Sequence, residues 1–301
     1  MKRVNSSLLI SGSLILTVMI NACSPSDPDL SAILAACNYT LETRLVLSDD
    51  DAIKTTLTPK CEAALAILPF ENSGDMGFDK APVGMKLKVM EGFQAIIGYP
   101  LALPSHNAIF GVSPNSIPLW HLNIINSAET MNKSILNYVL NQIHTIRYSR
   151  LPDGNAAAQY TVKLDLSGVL IIYPSFWKKG NWDYSITYPF ERASTLIHEA
   201  RHGDSIYHPT CVGGCDNNLM GPYGMNITYG ELLLHGSGTR HADGKPPILS
   251  DGDVKFIGVK LCRRLTDRID FLPPELSLKM KTIDCNELEA SDFAKLENLD
   301  R

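Results

Sequence analysis

The sequence has no basic run. Its 27 Lys and Arg are outnumbered by 32 Asp and Glu, for a formal net charge of −5 at pH 7. No stripe alternates aromatic with basic residues either, so the electrostatic footprint of a nucleic-acid-binding protein is missing. Internal repeats and long low-complexity tracts are also lacking, which excludes solenoids and repeat arrays. Beyond the first 22 residues no segment is apolar enough to cross a bilayer. Membrane attachment, if any, therefore comes from the N-terminus.

The chain opens with Lys2 and Arg3, followed by an apolar run from Leu8 to Ile20. That run is too short for a comfortable span and has the layout of an export signal. It ends in Ile20-Asn21-Ala22-Cys23, which resembles a bacterial lipobox. The resemblance implies cleavage before Cys23, lipidation of that cysteine, and attachment to a membrane of the cell envelope through lipid. Ser24 in the next position is similar to an outer-membrane sorting signal. Loss of residues 1–22 removes Lys2 and Arg3 and no acid, so −5 becomes −7. Residues 23–30, polar and proline-bearing, read as a tether.

Of the seven cysteines, six remain once Cys23 is assigned to lipid: Cys37, Cys61, Cys211, Cys215, Cys262 and Cys285. An even set in an exported chain reads as disulfides. Proximity suggests the pairs 37–61, 211–215 and 262–285, although six cysteines allow many other connectivities. Cys211 and Cys215 are the one pair for which a metal reading is open.

Periodicity predicts an α+β chain. Residues 31–125 read as a mostly helical region, with helical patterns at 32–37, 59–68 and 85–97. Residues 126–301 read as the main domain. There, 127–148 has helical spacing, with Ile135, Tyr138, Val139, Ile143 and Ile146 three and four residues apart. Residues 159–165 alternate as a strand, and 168–173 (GVLIIY) form a short apolar strand. An aromatic, glycine-containing loop spans 175–185, a helix starts near Pro189, and 254–269 is helical again.

The helix after Pro189 carries His198-Glu199-Ala200-Arg201-His202. At 3.6 residues per turn the two histidines lie one above the other. They stand roughly opposite the apolar face made by Phe190, Ala193, Leu196, Ile197 and Ala200, and so are expected to face away from the core. Imidazole suits zinc, which in catalytic sites takes three protein ligands and leaves one position open. Glu199 stands where a general base would take a proton from water and deliver it to a leaving amine. Gly203 reads as the helix stop.

The string HEARHGDSIYH resembles the extended zinc motif of the metzincin metallopeptidases, H-E-x-x-H-x-x-G-x-x-H. His198, Glu199, His202 and His208 match, and Ser205 stands where the family has glycine. Gly203 is an alternative place for the left-handed turn that this glycine makes. Pro209 pushes His208 out of helical conformation, which suits a ligand reaching back from a following loop. The resemblance implies a zincin-like domain with a small mixed sheet and an active-site helix, binding one Zn2+ through His198, His202 and His208. Two alternatives for the third ligand stay open: Glu231, resembling the downstream glutamate of gluzincins, and Asp216, resembling the downstream aspartate of aspzincins. Asp204 reads either as a partner for a ligating imidazole or as a helix-end residue paired with Arg201. Tyr223 is a candidate hydrogen-bond donor to the developing oxyanion. His235 and His241 read as solvated. The strand at 168–173 is a candidate edge for a bound peptide, with an ordinary core strand as the alternative.

The expected function is a lipid-anchored zinc metallopeptidase of the cell envelope, acting on a peptide or protein substrate. Two alternatives are a non-catalytic envelope lipoprotein with a structural metal site and a zinc amidase acting on peptidoglycan peptides.

Overall fold

A computed structural model of the chain describes residues 81–102, 131–150, 156–161, 168–177, 188–204, 221–238, 249–267, 269–272 and 274–292, with a few isolated positions besides. In chain order these form α1 (Val83–Gly98), α2 (Met131–Gln142), β1 (Thr145–Tyr148), β2 (Ala158–Thr161), β3 (Val169–Ile172), α3 (Pro174–Trp177), α4 (Pro189–His202), α5 (Pro222–Ser237) and α6 (Asp251–Thr266). A 3-10 turn (Ile269–Phe271) and α7 (Pro274–Met280) follow. The architecture is mixed α+β, with helices packed around a small three-stranded sheet.

The segment 127–148, expected to be one helix, divides. Helix α2 ends at Gln142, and Thr145–Tyr148 becomes strand β1. Ile143 and Ile146 fit the helical period, while Ile146 and Tyr148 alternate with Thr145 and Arg147 in the period of a strand. The β-branched and aromatic composition of IHTIRY then favours the extended form once a partner strand is available. That partner is β3, which pairs in parallel with β1 from Thr145↔Val169 to Tyr148↔Ile172. Gly168 makes the approach feasible. Its φ of +80° is open to glycine at little cost, and an added Cβ would lie 2.6 Å from Nδ1 of His144.

Sheet order is β1-β3-β2, with β2 antiparallel to β3. The apolar strand at 169–172 is therefore central and is not the edge. Its run VLII lacks a polar face because it is paired on both sides and three of its four residues are buried. Strand β2 is the antiparallel edge. Tyr173 donates its N–H to the carbonyl of Ala157, and antiparallel pairing alternates. Gln159 and Thr161 thus face β3, while Ala158 and Tyr160 turn their backbone groups outward.

Helix α4 is buried almost all round, between α1, α5 and β2. Ala193, Leu196, Ile197 and Ala200 make its apolar face, and Leu196 and Ile197 each contribute about 1.5–3 kcal/mol by burial. Gly92 lets α1 come close: a Cβ there would stand 2.8 Å from Cδ1 of Leu196 and 3.1 Å from Cβ of Arg192. One hydrophobic core runs from Leu68 and Met85 through Ile146 and Leu170 to Leu261 and Cys285. Residues on both sides of the expected 125/126 boundary thus share a core.

The start of α4 is secured in several ways. Pro189 occupies its first turn, and Glu191 Oε2 accepts the N–H of Tyr188 at 3.1 Å. Lys260 of α6 pairs with Glu191, and Phe256 packs its ring on Tyr188. Cys262 of α6 is bonded to Cys285, as expected from their spacing. The pairs 37–61 and 211–215 lie outside the described residues. No helix among the described residues is long and apolar enough to cross a membrane.

Candidate active site

His198 and His202 lie one turn apart on α4, with ring centres 5.3 Å apart and planes at 77°. Two imidazoles bound to one tetrahedral zinc at about 2.0–2.1 Å place their ring centres about 5 Å apart. The separation therefore fits a shared ion. Both side chains are buried, contrary to the expectation that they face away from the core. Helix α5, which crosses the polar face of α4, accounts for the difference.

The contact from α5 is specific. Asn226 Oδ1 stands 2.9 Å from Nδ1 of His198, and Asn226 Nδ2 donates to both the carbonyl and the hydroxyl of Ser194 at 2.7 Å. A backbone carbonyl only accepts, so Nδ2 faces Ser194 and Oδ1 faces the imidazole. The network thereby assigns the proton of His198 to Nδ1, which puts the ring's lone pair on Nε2, the nitrogen that could hold a metal. Sequence reasoning missed Asn226. Its one signal was its place three residues after Tyr223 on a helical pattern, the spacing that puts both on one face.

Tyr223 is placed with the histidines. Its ring centre lies 4.7 Å from that of His198, and the Arg264 guanidinium sits 4.6 Å from the same ring on α6. Arg264 also escaped the sequence reading, since a single arginine on an amphipathic helix carries no motif.

Glu199 points towards the sheet. Its Oε2 accepts the outward N–H of Tyr160 on β2 at 2.8 Å. Burial raises its carboxyl from an ordinary value near 4.5 to about 8, against the opposing pull of the Tyr160 hydrogen bond. A carboxyl of that kind exchanges protons near neutral pH, as a general base and acid requires.

Asp204 does not contact either imidazole. Tyr138 Oη donates to it at 2.6 Å, Gln142 Nε2 donates at 3.0 Å, and Arg201 is its ion-pair partner. It joins the end of α4 to α2, which is the helix-end reading. Gly203 follows the last residue of α4 but has φ −61°, so it makes no left-handed turn. It is small because α2 comes close: a Cβ there would stand 2.3 Å from Oε1 of Gln142.

Glu231 is fully buried on α5, with Nε2 of His235 at 3.6 Å. Five residues beyond Asn226, it lies about 140° further round the helix, away from the face that meets His198. Neither carboxylate oxygen of Glu231 has a hydrogen-bond partner among the described residues, and His235, one turn on, is buried as well, where solvation had been expected. Among the described residues, no three His, Cys, Asp or Glu side chains converge to hold one ion. His208, Asp216, Cys211, Cys215 and His241 lie outside the described residues, as do Ser205, Cys23, Cys37 and Cys61.

Comparison with family models, curated proteins and solved structures gives no match to this chain.

Proposed function

We propose that the chain is a zinc-dependent peptidase with a zincin-like site, anchored to the cell envelope through lipid on Cys23. The observation that supports this most is the pairing of His198 and His202, 5.3 Å apart, with a buried Glu199 between them in sequence. The donor set fits zinc: two imidazoles at the right separation, one with its proton on Nδ1. His208 is the third ligand in this reading, on the strength of the HEARHGDSIYH spacing.

A zinc ion held there would polarise a peptide carbonyl and make a water acidic enough to be a nucleophile at neutral pH. Glu199 takes the proton of the attacking water and passes it to the leaving amine. In the metal-free protein burial raises that carboxyl to about 8, which favours its holding the proton between the two transfers. Tyr223, whose ring packs against His198, is the donor to the oxyanion in this reading. Strand β2 borders the base at the sheet edge.

The test compares purified wild type with Glu199→Gln for zinc content and for cleavage of a peptide library and of peptidoglycan stem peptides. Expected are about one zinc per chain in both proteins and cleavage by wild type alone. Zinc in both with no Glu199-dependent cleavage assigns the metal a structural role. Cleavage confined to stem peptides makes the protein an amidase. A wild type that takes up no zinc overturns the reading.

A further inference from the structure

We propose that Asn226 is the positioning residue of the site, fixing the tautomer and the ring orientation of His198 from the backbone of its own helix. The affinity part of this proposal rests on the zinc reading above; the tautomer part does not. Ser194 and His198 are one turn apart on α4, and the single side chain of Asn226 spans that turn from α5. The carbonyl of Ser194 is a fixed acceptor. It orients the amide through Nδ2, and the amide then presents Oδ1 to Nδ1 of His198. Reversing the amide would set a carbonyl oxygen against Ser194 O and an N–H against the Nδ1 proton. Asn226 is itself buried, so water offers little relief for either mismatch.

This arrangement does two things for a ligand. It holds the imidazole against rotation, and it keeps the lone pair on Nε2 before any ion arrives. Groups that orient a ligating histidine in this way affect metal affinity by about 10–100-fold when removed. Asp204, the candidate for this role by sequence position, has its carboxylate committed to Tyr138, Gln142 and Arg201. The task falls to a residue of the neighbouring helix.

The experiment uses protein labelled with 15N-histidine, stripped of metal, at a pH where the imidazoles are neutral. Long-range proton–nitrogen correlation reads the tautomer of His198, and competition with a chelator of known affinity reads zinc binding. Wild type is expected to carry the proton on Nδ1. Asn226→Ala is expected to shift His198 towards the Nε2 proton and to weaken zinc about 10–100-fold. Asn226→Asp, which still accepts from Nδ1 but sets its second oxygen near the Ser194 carbonyl, is expected to restore the tautomer and only part of the affinity. A wild type with its proton on Nε2 overturns the proposal without any variant, which covers the case in which Asn226→Ala does not fold. An unchanged tautomer and affinity in Asn226→Ala also overturns it. Failure of wild type to bind zinc sinks the peptidase reading alone, because the tautomer comparison still decides the role of Asn226.

Discussion

The backbone N–H of Tyr160, on the outer side of edge strand β2, donates to Oε2 of Glu199 at 2.8 Å. This bond joins the proposed base to the sheet, yet it does not offset the cost of burying the carboxylate. The consequence for the metal-free protein has a definite sign. Glu199 binds its proton more tightly in the folded chain, with the carboxyl raised from about 4.5 to about 8. The stability it contributes is therefore complete below about pH 4.5 and is lost as pH rises through about 8. Denaturant midpoints measured in chelator should fall across that window for wild type. Glu199→Gln, which has no charge to bury, should show a flatter profile. An identical slope in both proteins would place the pH dependence on another group.

A second prediction concerns the third ligand. Glu231 lies about 140° round α5 from Asn226, whose face meets His198. Glu231→Gln should therefore leave zinc content at the wild-type level, as should Asp216→Asn, whereas His208→Ala should lose most of the metal. Atomic absorption on the purified proteins decides it. Loss of zinc in Glu231→Gln with normal loading of His208→Ala would transfer the ligand to α5.

What could be read from the sequence was what depends on local spacing. The 3.6-residue period placed His198 and His202 on one face of a helix whatever that helix packs against. The separation of Cys262 and Cys285 likewise suggested their bond, since both lie in one short excursion of the chain. The misreadings required knowing a neighbour. The run 143–148 satisfies two periods, and only its pairing with β3 selects the strand. Strand β3 became central because β2 returns antiparallel on its far side, which an apolar run alone cannot announce. His235 was expected to be solvated because it precedes a glycine-rich stretch, but Gly236 brings it under the chain at Pro100 and Leu101. Asn226 belongs to no short motif. Its meaning arises from the crossing of α5 over α4, where one amide meets a carbonyl and an imidazole.

The disulfide Cys262–Cys285 closes a loop with a sequence separation of 23 residues and ties α6 to the segment after α7. Loop entropy at that length corresponds to about 3 kcal/mol of stabilisation. Replacing both cysteines by serine should lower unfolding free energy by about this amount, read from urea denaturation followed by fluorescence. Zinc content should be unchanged, because neither cysteine is a ligand in the proposed site. A double variant with wild-type stability would mean that the reduced chain is already ordered there.

The last prediction tests the foundation of the site helix. Arg192 is buried between α1 and α4, where its Nη1 stands 3.2 Å from Oε2 of Glu91. Its Nε donates to the carbonyl of Phe176 at 3.2 Å and its Nη2 to that of Ile186 at 2.9 Å. One guanidinium thus holds α1, α3 and the chain entering α4 together. Removing one partner of a buried pair costs about 3–5 kcal/mol, because the other charge is left without compensation. Lys88, 2.8 Å from Glu91, remains to share that charge, so Arg192→Ala should fall at the low end, at about 3 kcal/mol. Arg192→Ala combined with Glu91→Ala removes both charges and should recover part of the loss. A double-mutant cycle on thermal or urea unfolding gives the coupling directly. Additive losses would show that Arg192 acts through its two carbonyl bonds and not through Glu91.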